Sequence, residues 1–219
     1  IEIDNYNGKI IATGETDSKI GYQKLLDSLK SLDIDFTEKE NEQLKGVSRV
    51  KSLEKILSWG NKTISKDKFT ELMAKKNEEY LSYIAEMNSD EILPDVPRVL
   101  ETLIEKQQPI SLGSASKNAR TILDRVNLKK HFNAIVDGND VSKAKPDPEV
   151  FLVAAKLLKM KPKDCIVFED SVAGIQAANA ANMVSIGIGS KDILHEADYV
   201  FSDFTEIKNS FLEELRNRK

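Results

Sequence analysis

The sequence predicts an α/β fold, a parallel sheet covered by helices on both faces and interrupted by a helical insert. Two observations carry that reading. From Pro94 onward, short apolar runs alternate with amphipathic helical patterns, the signature of a parallel sheet whose strands are buried on both sides. Before Leu93-Pro94, from about Ser18, apolar residues recur only at spacings of three and four, which places them on single helix faces. The expected division is therefore residues 1–16 and 93–219 for the α/β core, with 17–92 as the helical insert.

Each element follows from its pattern. Tyr22, Leu25, Leu26, Leu29 and Leu32 form a first stripe. Thr37 precedes Glu38-Lys39-Glu40 as a helix cap candidate. Val50, Leu53, Ile56 and Leu57 form a second stripe. Phe69, Leu72 and Met73 form a third, continued by Tyr80, Leu81 and Ile84, with Ser65 placed to cap it. After Pro94, a helix through Val96, Val99, Leu100, Leu103 and Ile104 leads to the strand Ile110-Ser111-Leu112-Gly113. A helix through Ala119, Ile122, Leu123 and Val126 leads to Ala134-Ile135-Val136-Asp137. One from Pro148 through Phe151, Leu152, Ala155 and Leu158 leads to Cys165-Ile166-Val167-Phe168. A helix from Ala173 to Ala181 precedes Val184-Ser185-Ile186-Gly187-Ile188, and Tyr199-Val200-Phe201 is a last strand before a C-terminal helix.

Composition excludes several classes. The chain has 219 residues, 40% hydrophobic and 31% charged, with a net charge of −4. That balance suits a soluble globular protein and gives no basic face for nucleic acid. A single cysteine, Cys165, forbids an internal disulfide and fits a reducing cytoplasm. No apolar run reaches membrane-spanning length. The start, Ile1-Glu2-Ile3-Asp4, has no basic-then-apolar signal pattern and no initiating Met, consistent with a trimmed chain.

In open parallel sheets, ligands collect beyond the carboxyl ends of the strands. Past the first such end lie Gly113-Ser114-Ala115-Ser116-Lys117-Asn118, with hydroxyls, an ammonium and an amide at a helix start. These groups suit an oxyanion; Ser114 or Ser116 would equally serve as a helix cap. Past the second, Asp137 is followed by Lys143-Ala144-Lys145-Pro146-Asp147-Pro148. Lys145 is expected on a loop there, either neutralising a phosphate or simply exposed in a proline turn. Past the third, Glu169-Asp170-Ser171 offers paired carboxylates of the kind Mg²⁺ prefers. Alternatively Asp170 caps the next helix and Glu169 is solvated. Taken singly each set is ordinary; three at successive strand ends define one crevice.

These residues resemble the haloacid dehalogenase superfamily of phosphoryl-transfer enzymes. Ser114 matches its second motif, Lys145-Pro146 its third and Glu169-Asp170 its fourth. The resemblance runs from about Asp35 to the C-terminus. It includes Asn41-Glu42-Gln43-Leu44-Lys45-Gly46-Val47-Ser48-Arg49, the Lys75-Lys76-Asn77 helix and Ser171-Val172-Ala173-Gly174-Ile175. It implies a Rossmann-like core with a helical cap, Mg²⁺ as cofactor, a small phosphosugar as substrate and a monomeric state. It further implies a mutase interconverting β-glucose 1-phosphate and glucose 6-phosphate through the 1,6-bisphosphate, with a sugar-phosphate phosphatase as the alternative. By resemblance, Ser114, Ser116, Lys117 and Asn118 hold a phosphate, Lys145 balances charge at the reacting centre, and Glu169 and Asp170 hold the metal. Arg49 grips the non-reacting phosphate, and Lys45, Gly46, Val47, Ser48 and Lys76 meet the sugar.

The superfamily's first motif, a strand ending in Asp-x-Asp-Gly, is absent in its usual form. Three registers remain open. Asn5-Tyr6-Asn7-Gly8 keeps the spacing but replaces both acids by amides, which predicts a dead or trapped enzyme. Asp4 could be the nucleophile after the short run Ile1-Glu2-Ile3. Lys9-Ile10-Ile11-Ala12-Thr13 is the better strand, followed by Glu15-Thr16-Asp17. Residues 1–20 could equally be simply divergent, and the missing acidic pair also admits a phosphosugar-binding protein without turnover. Elsewhere, Trp59 reads as packing, and His131 and His195 have no metal spacing. Cys165 reads as buried core at a strand start, and Asp95 as turn chemistry at the return to the core.

Overall fold

The computed structural model describes residues 49–217, together with Ile34, Thr37, Glu40 and Leu44. The expectations placed on residues 1–33, Asp4 and Tyr22 among them, and on Lys45, Gly46, Val47 and Ser48, lie outside the described residues.

The helical part forms as its periodicity requires. Thr37 and Glu40 make a reciprocal capping box: the Glu40 N–H donates to Thr37 Oγ1 at 3.2 Å, and the Thr37 N–H donates to Glu40 Oε2 at 2.6 Å. Helix α1 (Arg49–Trp59) buries Leu53, Ile56 and Leu57. Helix α2 (Lys66–Glu86) begins at Ser65, whose Oγ accepts the Lys68 N–H at 3.2 Å. Leu72 of α2 joins the α1 residues in one apolar cluster with Ile34 and Leu44, and Trp59, Phe69 and Met73 pack against it. The far end of α2 belongs elsewhere, since Ile84 and Met87 lie in the main core with Val99, Leu100 and Leu123. This one helix of 21 residues, about 30 Å long, therefore joins the two hydrophobic clusters.

A short 3₁₀ turn (Ser89–Glu91) and Pro94 lead into α3 (Val96–Glu105). The turn is closed by Asp95, which takes a left-handed φ of 65° and pairs with Arg98 at 3.0 Å. Strand β1 (Ser111–Gly113) pairs in parallel with β2 (Ala134–Val136), in the register Ser111 to Ala134. Helix α4 (Ala119–Arg125) connects them. Helix α5 (Glu149–Leu157) leads to β3 (Ile166–Glu169), and α6 (Val172–Ala180) to β4 (Val184–Ile188). Strand β5 (Tyr199–Phe201) completes a parallel order β3-β4-β5, and α7 (Asn209–Arg216) closes the described chain.

Both faces of the strands are covered, as the continuous apolar runs require. On one side Leu112, Phe168 and Ile186 pack with residues of α3, α4 and α7. On the other, Val136 and Val167 meet Phe151, Ala154, Ala177 and Ala178 of α5 and α6. Among the described residues, Gly113, Phe151, Val167, Phe168 and Leu212 line a mainly apolar cavity of about 180 Å³. Strand β3 runs one residue later than expected: Cys165 precedes it, half-buried, and Glu169 is its last residue. Among the described residues no helix is long and apolar enough to cross a membrane.

Candidate active site

Three strands end on the same side. Beyond β1, the Ser114 N–H continues the ladder by donating to Val136 O at 2.9 Å, which fixes Ser114 at the sheet edge, fully buried. The chain then turns tightly. Ser114 Oγ accepts the Ser116 N–H at 3.1 Å, and Ser116 Oγ accepts the Asn118 N–H at 3.2 Å. Neither serine caps α4; Asn118 holds that position and makes no side-chain cap. The hydroxyls instead brace the loop from within, a turn chemistry natural to serine. Asn118 Nδ2 is buried with no hydrogen-bond partner among the described residues, a donor suited to an incoming oxygen. Lys117 is exposed. Helix α4 has only seven residues, so these side chains and loop amides, rather than a long helix dipole, carry the anion chemistry.

Lys145 departs from the exposed alternative. It is 4% exposed, and its Nζ donates to Gly113 O at 3.3 Å and to Glu169 Oε2 at 3.1 Å. The ammonium also lies 4.7 Å from the centroid of the Phe151 ring, a favourable cation–π position. A charge this deep is stable only when paired. Glu169 supplies the pair and is itself fully buried, which corrects the solvated alternative. The bond therefore ties the end of β1 to the end of β3. The Lys145–Pro146 peptide is cis.

Glu169 is held from its other oxygen as well. Ser171 Oγ donates to Glu169 Oε1 at 2.5 Å and its N–H does so at 3.2 Å. The same Oγ accepts the Gly174 N–H at 3.0 Å. Ser171, not Asp170, is thus the N-cap of α6. Gly174 has a spatial reason to be glycine, because a Cβ there would fall 1.9 Å from Glu169 Cδ. Sequence reasoning missed this clamp. The signal was present in a serine two residues after the glutamate and three before a glycine.

Asp170 follows at the mouth of the strand, half-buried. A carboxylate there is a fitting hard-oxygen donor for Mg²⁺, whereas Glu169, expected as a second ligand, has one oxygen on Lys145 and the other on Ser171 and stands behind Asp170 as its neighbour. Mg²⁺ takes one or two protein carboxylates and fills its octahedron with phosphate oxygens and water. Among the described residues no group of three or more His, Cys, Asp or Glu converges. Arg49 opens α1 and Lys76 lies within α2, so both stand on the helical part. The structure thus brings together Ser114, Lys145 and Glu169, with Ser116, Lys117, Asn118 and Asp170 on the adjoining loops.

The haloacid dehalogenase-like hydrolase family matches residues 10–182, and the chain belongs to that family. Among its relatives the chain is similar to the β-phosphoglucomutase of Bacillus subtilis (strain 168). They are 38% identical over 190 residues, covering 84% of this chain and 83% of that one. It is similar in structure to the β-phosphoglucomutase of Clostridium difficile, with a TM-score of 0.84, 36% identity and 91% of each chain covered. It also resembles the fructose-1-phosphate phosphatase of Escherichia coli (strain K12), at 35% identity over 47% of this chain and 54% of that one. The relatives are phosphoryl-transfer enzymes of two kinds, mutases and phosphatases.

Proposed function

We propose that the protein is a Mg²⁺-dependent phosphosugar mutase that interconverts β-glucose 1-phosphate and glucose 6-phosphate through the 1,6-bisphosphate. The observation that carries this reading is the similarity to β-phosphoglucomutase across 84% of the chain, in the insert as well as the core. Similarity to phosphatases covers less of the chain, from 47% for the fructose-1-phosphate enzyme up to 70% at 27% identity. It keeps hydrolysis as the second reading. In a mutase the insert would hold a sugar while the core transfers phosphate, and the mutase match, at 38% identity over 84% of the chain, is the more extensive of the two.

The residues divide the work as follows. Ser114, Ser116, Lys117 and Asn118 receive phosphate oxygens. Lys145 holds positive charge beside the reacting centre, oriented by Glu169. Asp170, with Glu169 beside it, would hold Mg²⁺, which when bound offsets the negative charge of the phosphoryl group. Arg49 offers a bidentate fork for the far phosphate, and Lys45, Gly46, Val47, Ser48 and Lys76 meet the sugar. Residues 1–16 would belong with 93–219 in the core, and 17–92 would form the cap. The nucleophile would then come from Asp4, Glu15 or Asp17.

Phosphorus NMR with β-glucose 1-phosphate, Mg²⁺ and a trace of glucose 1,6-bisphosphate tests the reading. Metal-dependent appearance of glucose 6-phosphate is expected. Release of inorganic phosphate alone would transfer the assignment to a phosphatase, and binding without turnover would point to the amide register, Asn5 and Asn7. Replacing Asp4, Glu15 and Asp17 one at a time then finds the acceptor.

A further inference from the structure

The loop after β2, Asp137-Gly138-Asn139-Asp140, packs on the backbone of the 114–118 loop. The Gly138 N–H donates to Ser116 O at 3.3 Å, and Asn139 Nδ2 donates to Lys117 O at 3.0 Å. In a trans peptide the carbonyl and the following N–H point in opposite directions. Drawing the Ser116 and Lys117 carbonyls toward 138–139 therefore turns the N–H groups of Lys117 and Asn118 the other way. The Asn118 N–H is taken by Ser116 Oγ, which leaves the Lys117 N–H as the amide turned outward.

The bracing loop is itself held firmly. Asp137 is 1% exposed. Its Oδ1 accepts the Asn139 N–H at 2.8 Å and Asn139 Nδ2 at 3.0 Å, and its Oδ2 pairs with Arg120 Nε at 3.0 Å. The primary amide of Asn139 has two hydrogens, so it bridges Asp137 and the Lys117 carbonyl together. Arg120, near the start of α4, donates hydrogen bonds to Ile135 O and to Asp140, whose Oδ2 accepts the Asp137 N–H. Gly138 permits the approach, because a Cβ there would lie 2.5 Å from Ala115 O.

We propose that Asp137 and Asn139, braced by Arg120, are positioning residues that set the peptide orientation of the 114–118 loop and aim the Lys117 N–H at a phosphate oxygen. The proposal rests on the reading of that loop as a phosphate site. The test is titration of the full, ¹⁵N-labelled chain with inorganic phosphate, following the Lys117 amide resonance and the unfolding midpoint. In the unaltered protein, phosphate shifts the Lys117 resonance. In Asn139→Ala the side chain is lost and the chain still folds, with a midpoint lowered by the two missing hydrogen bonds. Phosphate affinity of that folded chain falls about three- to tenfold, the scale of one oriented hydrogen bond. Gly138→Ala moves the Lys117 resonance before phosphate is added. Asp124→Asn on α4, which removes only its exposed pair with Lys129, leaves affinity unchanged. Equal affinity in Asn139→Ala and the unaltered chain, or an equal loss in Asp124→Asn, overturns the positioning role. No Lys117 response in the unaltered chain overturns the phosphate reading itself.

Discussion

Lys145 and Glu169 form a buried pair whose members depend on each other. Lys145→Met leaves a buried carboxylate without its ammonium and costs about 3–5 kcal/mol of stability. Adding Glu169→Gln removes the stranded charge and restores much of that loss, while turnover stays abolished. Urea denaturation beside the phosphorus assay separates the two effects. Gly174→Ala forces a methyl into the Glu169 carboxylate and costs about 1–3 kcal/mol by overpacking, read as a lower midpoint. Cys165 behaves oppositely to a nucleophile. Burial, with the neighbouring Asp164 charge, raises its thiol pKa, so it stays protonated at neutral pH. Alkylation by iodoacetamide is expected to be slower than for a free thiol at pH 7 and to rise only in strong base.

At the scale of elements, caps and latches decide where the site residues stand. Ser171 begins α6 and grips Glu169 with one hydroxyl. Ser171→Ala therefore costs about 1 kcal/mol for the cap and loosens the Lys145 partner as well. Glu149, in the first turn of α5, accepts the N–H groups of Ser142 and Lys143 and the Ser142 hydroxyl, anchoring the loop that carries Lys145. The Lys143 N–H, offset in part by burial, holds its carboxyl below the ordinary value. A lowered folded pKa means that the anchor is complete above the ordinary glutamate range and is lost as pH falls through the lowered value. Amide exchange at Lys143 is expected to quicken, relative to Glu149→Gln, over that acid window. Arg98 latches the opposite end: it pairs with Asp95 and donates to Asn209, Phe204 O and Ile207 O, fastening the return from the insert to the C-terminal segment.

Across the whole molecule, helices on both sheet faces bring three strand ends to one edge, and α2 links the insert to the core. Binding of Mg²⁺ to the folded chain alone raises its melting temperature. Calorimetry is expected to show that shift in the unaltered protein and to lose most of it in Asp170→Asn. Much of this was legible beforehand. Period-three and period-four stripes mark α1 to α3, and runs of three to five residues mark the strands to within a residue or two, because burial on one or both faces writes itself into spacing. The positions of Ser114, Lys145, Glu169 and Asp170 beyond strand ends were legible for the same reason. Long-range pairing was not. Nothing local in Lys143-Ala144-Lys145-Pro146 separates a buried lysine from an exposed one; the difference is Glu169, 24 residues away, and the ring of Phe151. Nor does Asp137 announce that it braces a loop 20 residues earlier through Asn139. Spacing and composition carry the elements from Arg49 onward, their order, the family resemblance and the residue types beyond the strand ends. The tertiary structure decided which charges are buried, which carboxylate meets Lys145 and which serine caps α6, because those depend on distances set only when the sheets and helices pack.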